Sequence, residues 1–471
     1  MQILKNLELS RREMLQRSAE VAVMGSAASY ALGLAGIANA SALTDDGSYK
    51  ALVCIFLTGG NDHVNTVVPF DPINHALYQN IRRDLAYSRE SLSGTALNIP
   101  EDQRLTNDIR YALAPSLGRL RNRFNEGRMA ILLNVGPLVA PLTKAQYLSS
   151  NHTANPRPSK LFSHNDQQST WQTFQPEGAT IGWGGRIADA AQAANQNAMF
   201  SSISATGNAV FLSGQSAIPY RITGNGVRIP AAISGTRLFQ SRVASTALKT
   251  IVGQHHQHVF EQDYARVTDR ALRYGAFVND ATSGVTMSTT FPTNNPLAVQ
   301  LGSVARMIAA RKQLGVRRQV FMVSLGGFDH HRGLNTSHPA LLASLDEALD
   351  LFYQATVELG VAHQVTSFTA SDFGRTLSVN GDGTDHGWGS HHMILGGAVN
   401  GGRFYGQAPL ISLTSDDQVG QGRLLPTTSV DEYSTTLALW MGIAPSDLAL
   451  VAPNIGRYAR PDLGFMARPT P

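Results

Sequence analysis

The sequence predicts an α/β fold built on a mainly parallel sheet, and three observations predict it. First, residues 51–57, 129–135 and 319–325 are apolar runs of strand length, and residues 365–369 are β-branched and aromatic. Such runs suit strands covered on both faces. Second, a clear helical stripe of Leu341, Leu345, Leu349 and Phe352 separates the last two runs. Third, three of these runs end in turns that carry Asp62, Asp329 and Asp372. Strand, helix, strand with an acidic group after each strand describes parallel βαβ units, whose ligand sites lie at the carboxyl ends of the strands.

The chain has 471 residues, enough for one large domain or two. With 43% hydrophobic and 15% charged residues it is ordinary globular material. The net charge is +4, and no Lys/Arg run exceeds two residues, so an electrostatic footprint for nucleic acid is missing. Cys54 is the single cysteine and lies inside an apolar run. An intramolecular disulfide and a thiolate metal site are therefore both excluded.

Residues 1–40 read as a targeting segment. Ser10-Arg11-Arg12 precedes a weakly apolar, Ala/Gly-rich stretch from 21 to 37, and Ala38-Asn39-Ala40 fits a small-residue cleavage site. This pattern looks like a twin-arginine signal, which predicts recognition by that export machinery and a periplasmic or extracellular product without a membrane span. An amphipathic N-terminal helix or an uncleaved anchor is the alternative.

Residues 41–471 are expected to form a single domain. The first strand ends in Thr58-Gly-Gly-Asn-Asp62-His63, where Asp62 is either a ligand or an Asx-turn residue. Residues 71–127 look helical and loop-rich, and 129–135 form a second strand. Ser163-His164-Asn165-Asp166 then brings a hydroxyl, an imidazole and a carboxylate together near a helix start. Ser163, His164 and Asp166 are candidate catalytic groups there, or the segment is a helix cap.

An accessory insertion of low charge is predicted over about 182–295, with β-hairpins at 200–212 and 220–231. A helix over 248–277 carries His255, His256 and His258, whose spacing does not place them on one face. They read as surface residues. The core resumes with a helix at 301–314, the strand 319–325 and the turn Gly326-Gly-Phe-Asp329-His330-His331. Ser337 caps a helix from 339 to 359, and the strand 365–369 leads into residues 372–392. That stretch holds three histidines, three carboxylates and five glycines. A strand at 393–399, a helix at 427–442 and a tail from Pro461, unstructured or lying over the surface, complete the chain.

Together, Asp62, Asp329, His331, Asp372, Asp385, His386, His391 and His392 form a set of strand-end groups. Mixed Asp/His donors in this number suit one or two divalent ions, with Zn, Mn, Mg and Ca all open. Of His391 and His392, the pattern does not decide which points inward. Arg375 either holds an anionic substrate group or fixes a ligand carboxylate.

Five spaced motifs carry a resemblance across nearly all of the mature chain. They are Phe56-Leu-Thr-Gly-Gly-Asn-Asp62 with Asn65-Thr-Val-Val-Pro69, Ser163-His-Asn-Asp-Gln-Gln168, and Gly326-Gly-Phe-Asp-His-His331. Ser371-Asp-Phe-Gly-Arg375 and Gly383-Thr-Asp-His-Gly387 complete them. Together they resemble the DUF1501 family, which is related to the alkaline phosphatase and sulfatase superfamily. The resemblance implies a three-layer, alkaline phosphatase-like sandwich around a mainly parallel sheet and a metal-assisted hydrolase site. Two departures stand out: Asp372 replaces a Glu, and no nucleophile is unambiguous among Thr58, Ser163, Ser169 and Thr170. The expected activity is metal-dependent hydrolysis of a small anionic phosphate or sulfate ester. The alternative is a catalytically degenerate metal-binding protein of the envelope.

Overall fold

A computed structural model describes residues 47–224, 226–227, 237–254 and 257–467. The expected export segment, His255, His256 and most of the second half of 220–231 lie outside the described residues. The central element is β1 (Lys50–Thr58). Its side chains alternate between two cores: Ala51, Val53, Ile55 and Leu57 face one, and Leu52, Cys54 and Phe56 face the other. A strand buried on both sides needs apolar residues at every position, which is why this run does not alternate with polar ones.

β1 pairs in parallel with β7 (Arg318–Gly326) on one side and β8 (Val365–Ser371) on the other. The sheet continues beyond β7 through the short strands β5 (Ser202–Ser204) and β6 (Tyr220–Arg221), both parallel. Beyond β8 come β9 (Ser390–Gly396) and β4 (Met129–Gly136), and β10 (Phe404–Tyr405) and β11 (Thr428–Ser429) both pair with β4. β9 alone runs antiparallel to its neighbours in this sheet. A separate antiparallel pair joins β2 (Val67–Pro69) to β3 (Tyr111–Leu113).

Helices cover both faces. We number the longer ones α1 (Pro72–Arg82), α2 (Gly118–Asn125), α3 (His164–Thr173), α4 (Trp183–Ala191), α5 (Arg242–Gly253), α6 (Val259–Ser283), α7 (Pro296–Ala309), α8 (Leu334–Glu358) and α9 (Val430–Met441). One core takes residues of α2, the end of α6, α7 and α8. The other takes residues of α3, α4 and α9. The result is the three-layer α/β sandwich with a mainly parallel sheet that was expected.

Several local expectations are corrected. The stretch at 200–212 contributes the three-residue parallel strand β5 instead of a hairpin, and 220–231 begins with the two-residue edge strand β6, residues 225 and 228–231 lying outside the described residues. The accessory stretch 182–295 is not only a cap: α4 packs in the second face, and β5 and β6 extend the sheet. The helix predicted over 248–277 is two helices, α5 and α6. α8 begins at Leu334 after Gly333 (φ 63°) and carries Pro339 in its interior, so Ser337 lies inside the helix and does not cap it. The tail is not loose over the surface: Phe465 and Met466 are buried in the second core.

Candidate metal centre

The parallel strands β1, β7 and β8 end at one edge of the sheet, and each passes into a turn that delivers an acidic side chain. The β1 turn requires glycine. Gly59 and Gly60 have φ of 115° and 83°. A Cβ on Gly59 would stand 2.5 Å from the backbone nitrogen of Asp329, and one on Gly60 would enter the Phe373 ring. These close approaches bring the three turns together.

Three imidazoles converge on Asp329. His164 Nε2 lies 3.4 Å from its Oδ2, while Nε2 of His331 and of His386 lie 3.2 and 3.3 Å from its Oδ1. The Nε2 atoms of His331 and His386 are 2.9 Å apart. Donor atoms of His164, Asp329 and His386 all fall within 4.8 Å of one another.

Each ring is held from behind. His164 Nδ1 donates to Asp372 at 2.6 Å, His386 Nδ1 to the Phe162 carbonyl at 2.8 Å, and His331 Nδ1 to Asp385 at 3.2 Å. Carboxylate and carbonyl oxygens only accept, so each Nδ1 carries a proton, and each Nε2 is turned toward Asp329. Ligating histidines carry this kind of outer shell. Donors roughly 2.0–2.1 Å from a tetrahedral zinc ion stand about 3.3 Å apart. The 2.9, 3.2, 3.3 and 3.4 Å separations are close to that, and His164, Asp329 and His386 form a grouping that could hold a metal ion.

The supports are themselves anchored. Asp372 is fully buried and also accepts from Gln168 Nε2 (2.8 Å) and the Gly59 amide (3.1 Å). Asp385 accepts from Asn380 Nδ2 (2.5 Å). The Phe373 ring packs against both His164 and His386, with centroids 4.9 and 4.7 Å away. Arg375, fully buried, donates to Asp329 (2.7 Å), the Gly59 carbonyl (3.2 Å), Thr384 Oγ1 (3.0 Å) and the Thr384 carbonyl. Of its two expected roles, the structure shows the fixing of a carboxylate.

Charge follows this geometry. The hydrogen bond that His164 donates to Asp372 raises the His164 pKa above the ordinary histidine value, against burial, which lowers it. Burial pushes the Asp329 carboxyl up, but the hydrogen bond and charge of Arg375 outweigh it and hold the group below the usual range. Burial lowers the His386 pKa, favouring the neutral ring that a metal needs. Asp329 and His331 keep 43% of their side-chain surface exposed, so the centre opens to solvent.

The other expected site residues lie around this centre, outside the converging group. Asp62 is buried in a two-bonded ion pair with Arg82 (2.8 and 2.6 Å) and also accepts from Thr384. Arg82 outweighs burial and holds its carboxyl far below the usual range. His391 lies inside β9, where its Nδ1 accepts from the Asn134 amide (3.1 Å) and its ring meets His63 edge-on. His392 faces the opposite side of that strand, against Trp171. β9 begins at Ser390, before the expected start at 393, and this takes both histidines out of the loop. Asp166 accepts from Ser163 Oγ (3.0 Å) and pairs with Lys160 (3.5 Å). The hydroxyls of Ser169 and Thr170 bond to the Pro176 and Asp166 carbonyls.

Arg82, Gln168, Thr384, Asn380 and the Phe162 carbonyl were given no role from sequence. Only Gln168 carried a usable signal, because its i,i+4 spacing from His164 places both on one face of α3.

The family described as "Protein of unknown function (DUF1501)" matches residues 49–457. No curated protein matches the chain. Solved structures with a similar course include Ps i-CgsB in complex with k-i-k-neocarrahexaose, at 9% identity and TM-score 0.37, covering 88% of this chain and 77% of that one. Another is the PsFucS1 sulfatase from Pseudoalteromonas sp., at 9% identity and TM-score 0.36, covering 89% and 74%.

Proposed function

We propose that this chain, which belongs to the DUF1501 family, is an exported metal-dependent hydrolase of small anionic esters, of the phosphate or sulfate class. One observation carries the reading: three imidazoles have their Nδ1 protons bound to acceptors and their Nε2 atoms turned to one carboxylate. In this reading His164, Asp329 and His386 hold a single divalent ion, with His331 beside them and one coordination position left open. A donor set of two imidazole nitrogens and one carboxylate oxygen suits zinc or another first-row transition metal better than magnesium or calcium. Such an ion supplies Lewis acidity toward an ester oxygen and lowers the pKa of water at the site.

The chain's own residues do the positioning. Asp372, with Gln168 and the Gly59 amide, fixes the His164 ring and its tautomer. Arg375 keeps Asp329 ionised and aimed at the rings. Asp62, Arg82 and Thr384 form the polar floor beneath Arg375. The ion's open coordination position, on the solvent side of the centre, would take the anionic group of the ester. The arginine-pair segment at 11–12 supports an exported, periplasmic setting. Among the described residues, no helix is long and apolar enough to cross a membrane.

A second reading, metal binding without turnover, is favoured by the hydroxyls. Those of Ser169 and Thr170 are bonded to backbone carbonyls and that of Ser163 to Asp166, and none of the three is among the groups that converge on Asp329. One experiment separates the two: metal analysis of the purified chain with assays on 4-nitrophenyl sulfate, 4-nitrophenyl phosphate and bis(4-nitrophenyl) phosphate. The hydrolase reading expects about one metal per chain and turnover of at least one ester, abolished by chelator and by His386→Ala. Metal without turnover selects the second reading, and a metal-free, inactive chain rejects both.

A further inference from the structure

The helix α6 carries an apolar seam that runs past the edge of the domain. From Phe260 the seam steps by four and three through Tyr264, Val267 and Ala271 to Tyr274 and Val278. Alternating steps of four and three keep one face of a helix apolar and are the spacing of helix-to-helix seams. The far end of the seam is spent in the core, where Val278 is 1% exposed and Tyr274 packs beside it. The near end is uncovered: Phe260, Tyr264 and Val267 are 78%, 70% and 54% exposed with the neighbouring helix α5 in place. Isolated apolar residues on a surface need no explanation, but a seam continuous with the core does.

The charges beside the seam point to its occupant. Asp263 and Arg270 lie one heptad apart on the same flank, both exposed and opposite in sign. If a second α6 lies antiparallel across a two-fold axis near Val267, Asp263 of each copy meets Arg270 of the other, and the apolar positions meet in the middle. We infer that the exposed half of α6 is a self-association surface on which a second copy of this chain docks, helix against antiparallel helix.

The size of the surface sets its strength. Positions 259–271 span about 20 Å of a helix about 10 Å wide. That strip is well below the roughly 800 Å² per partner of a standard interface and falls in the size class of weak, transient contacts.

Sedimentation velocity of the full chain at concentrations from about 1 to 200 μM tests this. The weight-average mass should climb toward that of two chains. Phe260→Asp combined with Tyr264→Asp should raise the midpoint concentration by about ten-fold or more, and both positions are exposed enough to spare the fold. Arg270→Asp alone should weaken association, and the swap of Asp263→Arg with Arg270→Asp should restore it. A mass that stays at one chain throughout overturns the inference, and so does a dimer indifferent to all of these changes. Phe260-dependent flotation with anionic lipid vesicles, without self-association, would also overturn it and assign the seam to a membrane surface.

Discussion

Asp372 illustrates how one residue acts through another. Its carboxylate is buried, touches no solvent, and spends its oxygens on His164, Gln168 and Gly59. Asp372→Asn keeps the shape but removes the charge that secures the His164 proton at Nδ1. Metal affinity should fall about 10- to 100-fold, as for other outer-shell partners, and a zinc titration monitored by competition with a chromophoric chelator reads the change. Unchanged affinity would remove Asp372 from this role. The residue types of the centre were legible in the sequence, because Asp and His gathered in glycine-rich turns have few other uses. Their roles were not. Whether a carboxylate ligates, as proposed for Asp329, or stands behind an imidazole, as Asp372 does, depends on a side-chain length of reach that only the packed turns define. Asp62 shows the same limit, since nothing in the pattern around Arg82 announced that it would neutralise that carboxylate.

At the scale of elements, long apolar strands declared themselves and short ones did not. β1, β4 and β7 fall within a residue or so of the runs read from sequence, since burial on two faces leaves a composition that little else produces. β5 and β6 have too few residues for a period to emerge, and β9 starts with Ser-His-His, which reads as loop until its pairing with β4 is known. The helix α9 carries a further consequence. Asp431 in its first turn is buried and its Oδ2 has no protein partner; burial pushes its pKa up to about 7. The folded state therefore binds this proton more tightly than the unfolded chain. Its stabilising effect is complete below the unfolded aspartate pKa near 3.9 and is lost as pH rises to about 7. Asp431→Asn keeps an oxygen to accept from the Asn454 amide and should flatten this part of the stability curve. Above pH 7 it should exceed the parent by on the order of 2–4 kcal/mol. Urea denaturation at pH 5 and pH 8 measures the difference, and equal slopes for the two proteins would contradict it.

For the whole molecule, the sheet is the device that builds the centre. Three parallel strands end at one edge, their turns interlock through Gly59 and Gly60, and α3 crosses that edge to bring His164 onto Asp372 and toward Asp329. Residues separated by more than two hundred positions meet there, so the assembly was visible in sequence as recurring acidic strand ends and not as one motif. A centre of imidazole and carboxylate donors for one divalent ion is the core of the proposed function. X-ray absorption at the zinc edge of the zinc-loaded full chain tests it most directly. The account predicts one zinc per chain with a first shell of nitrogen and oxygen at about 2.0–2.1 Å, with outer-shell imidazole scattering that declines in His386→Ala. A chain that retains no zinc, or a shell of oxygens without imidazole scattering, would contradict it.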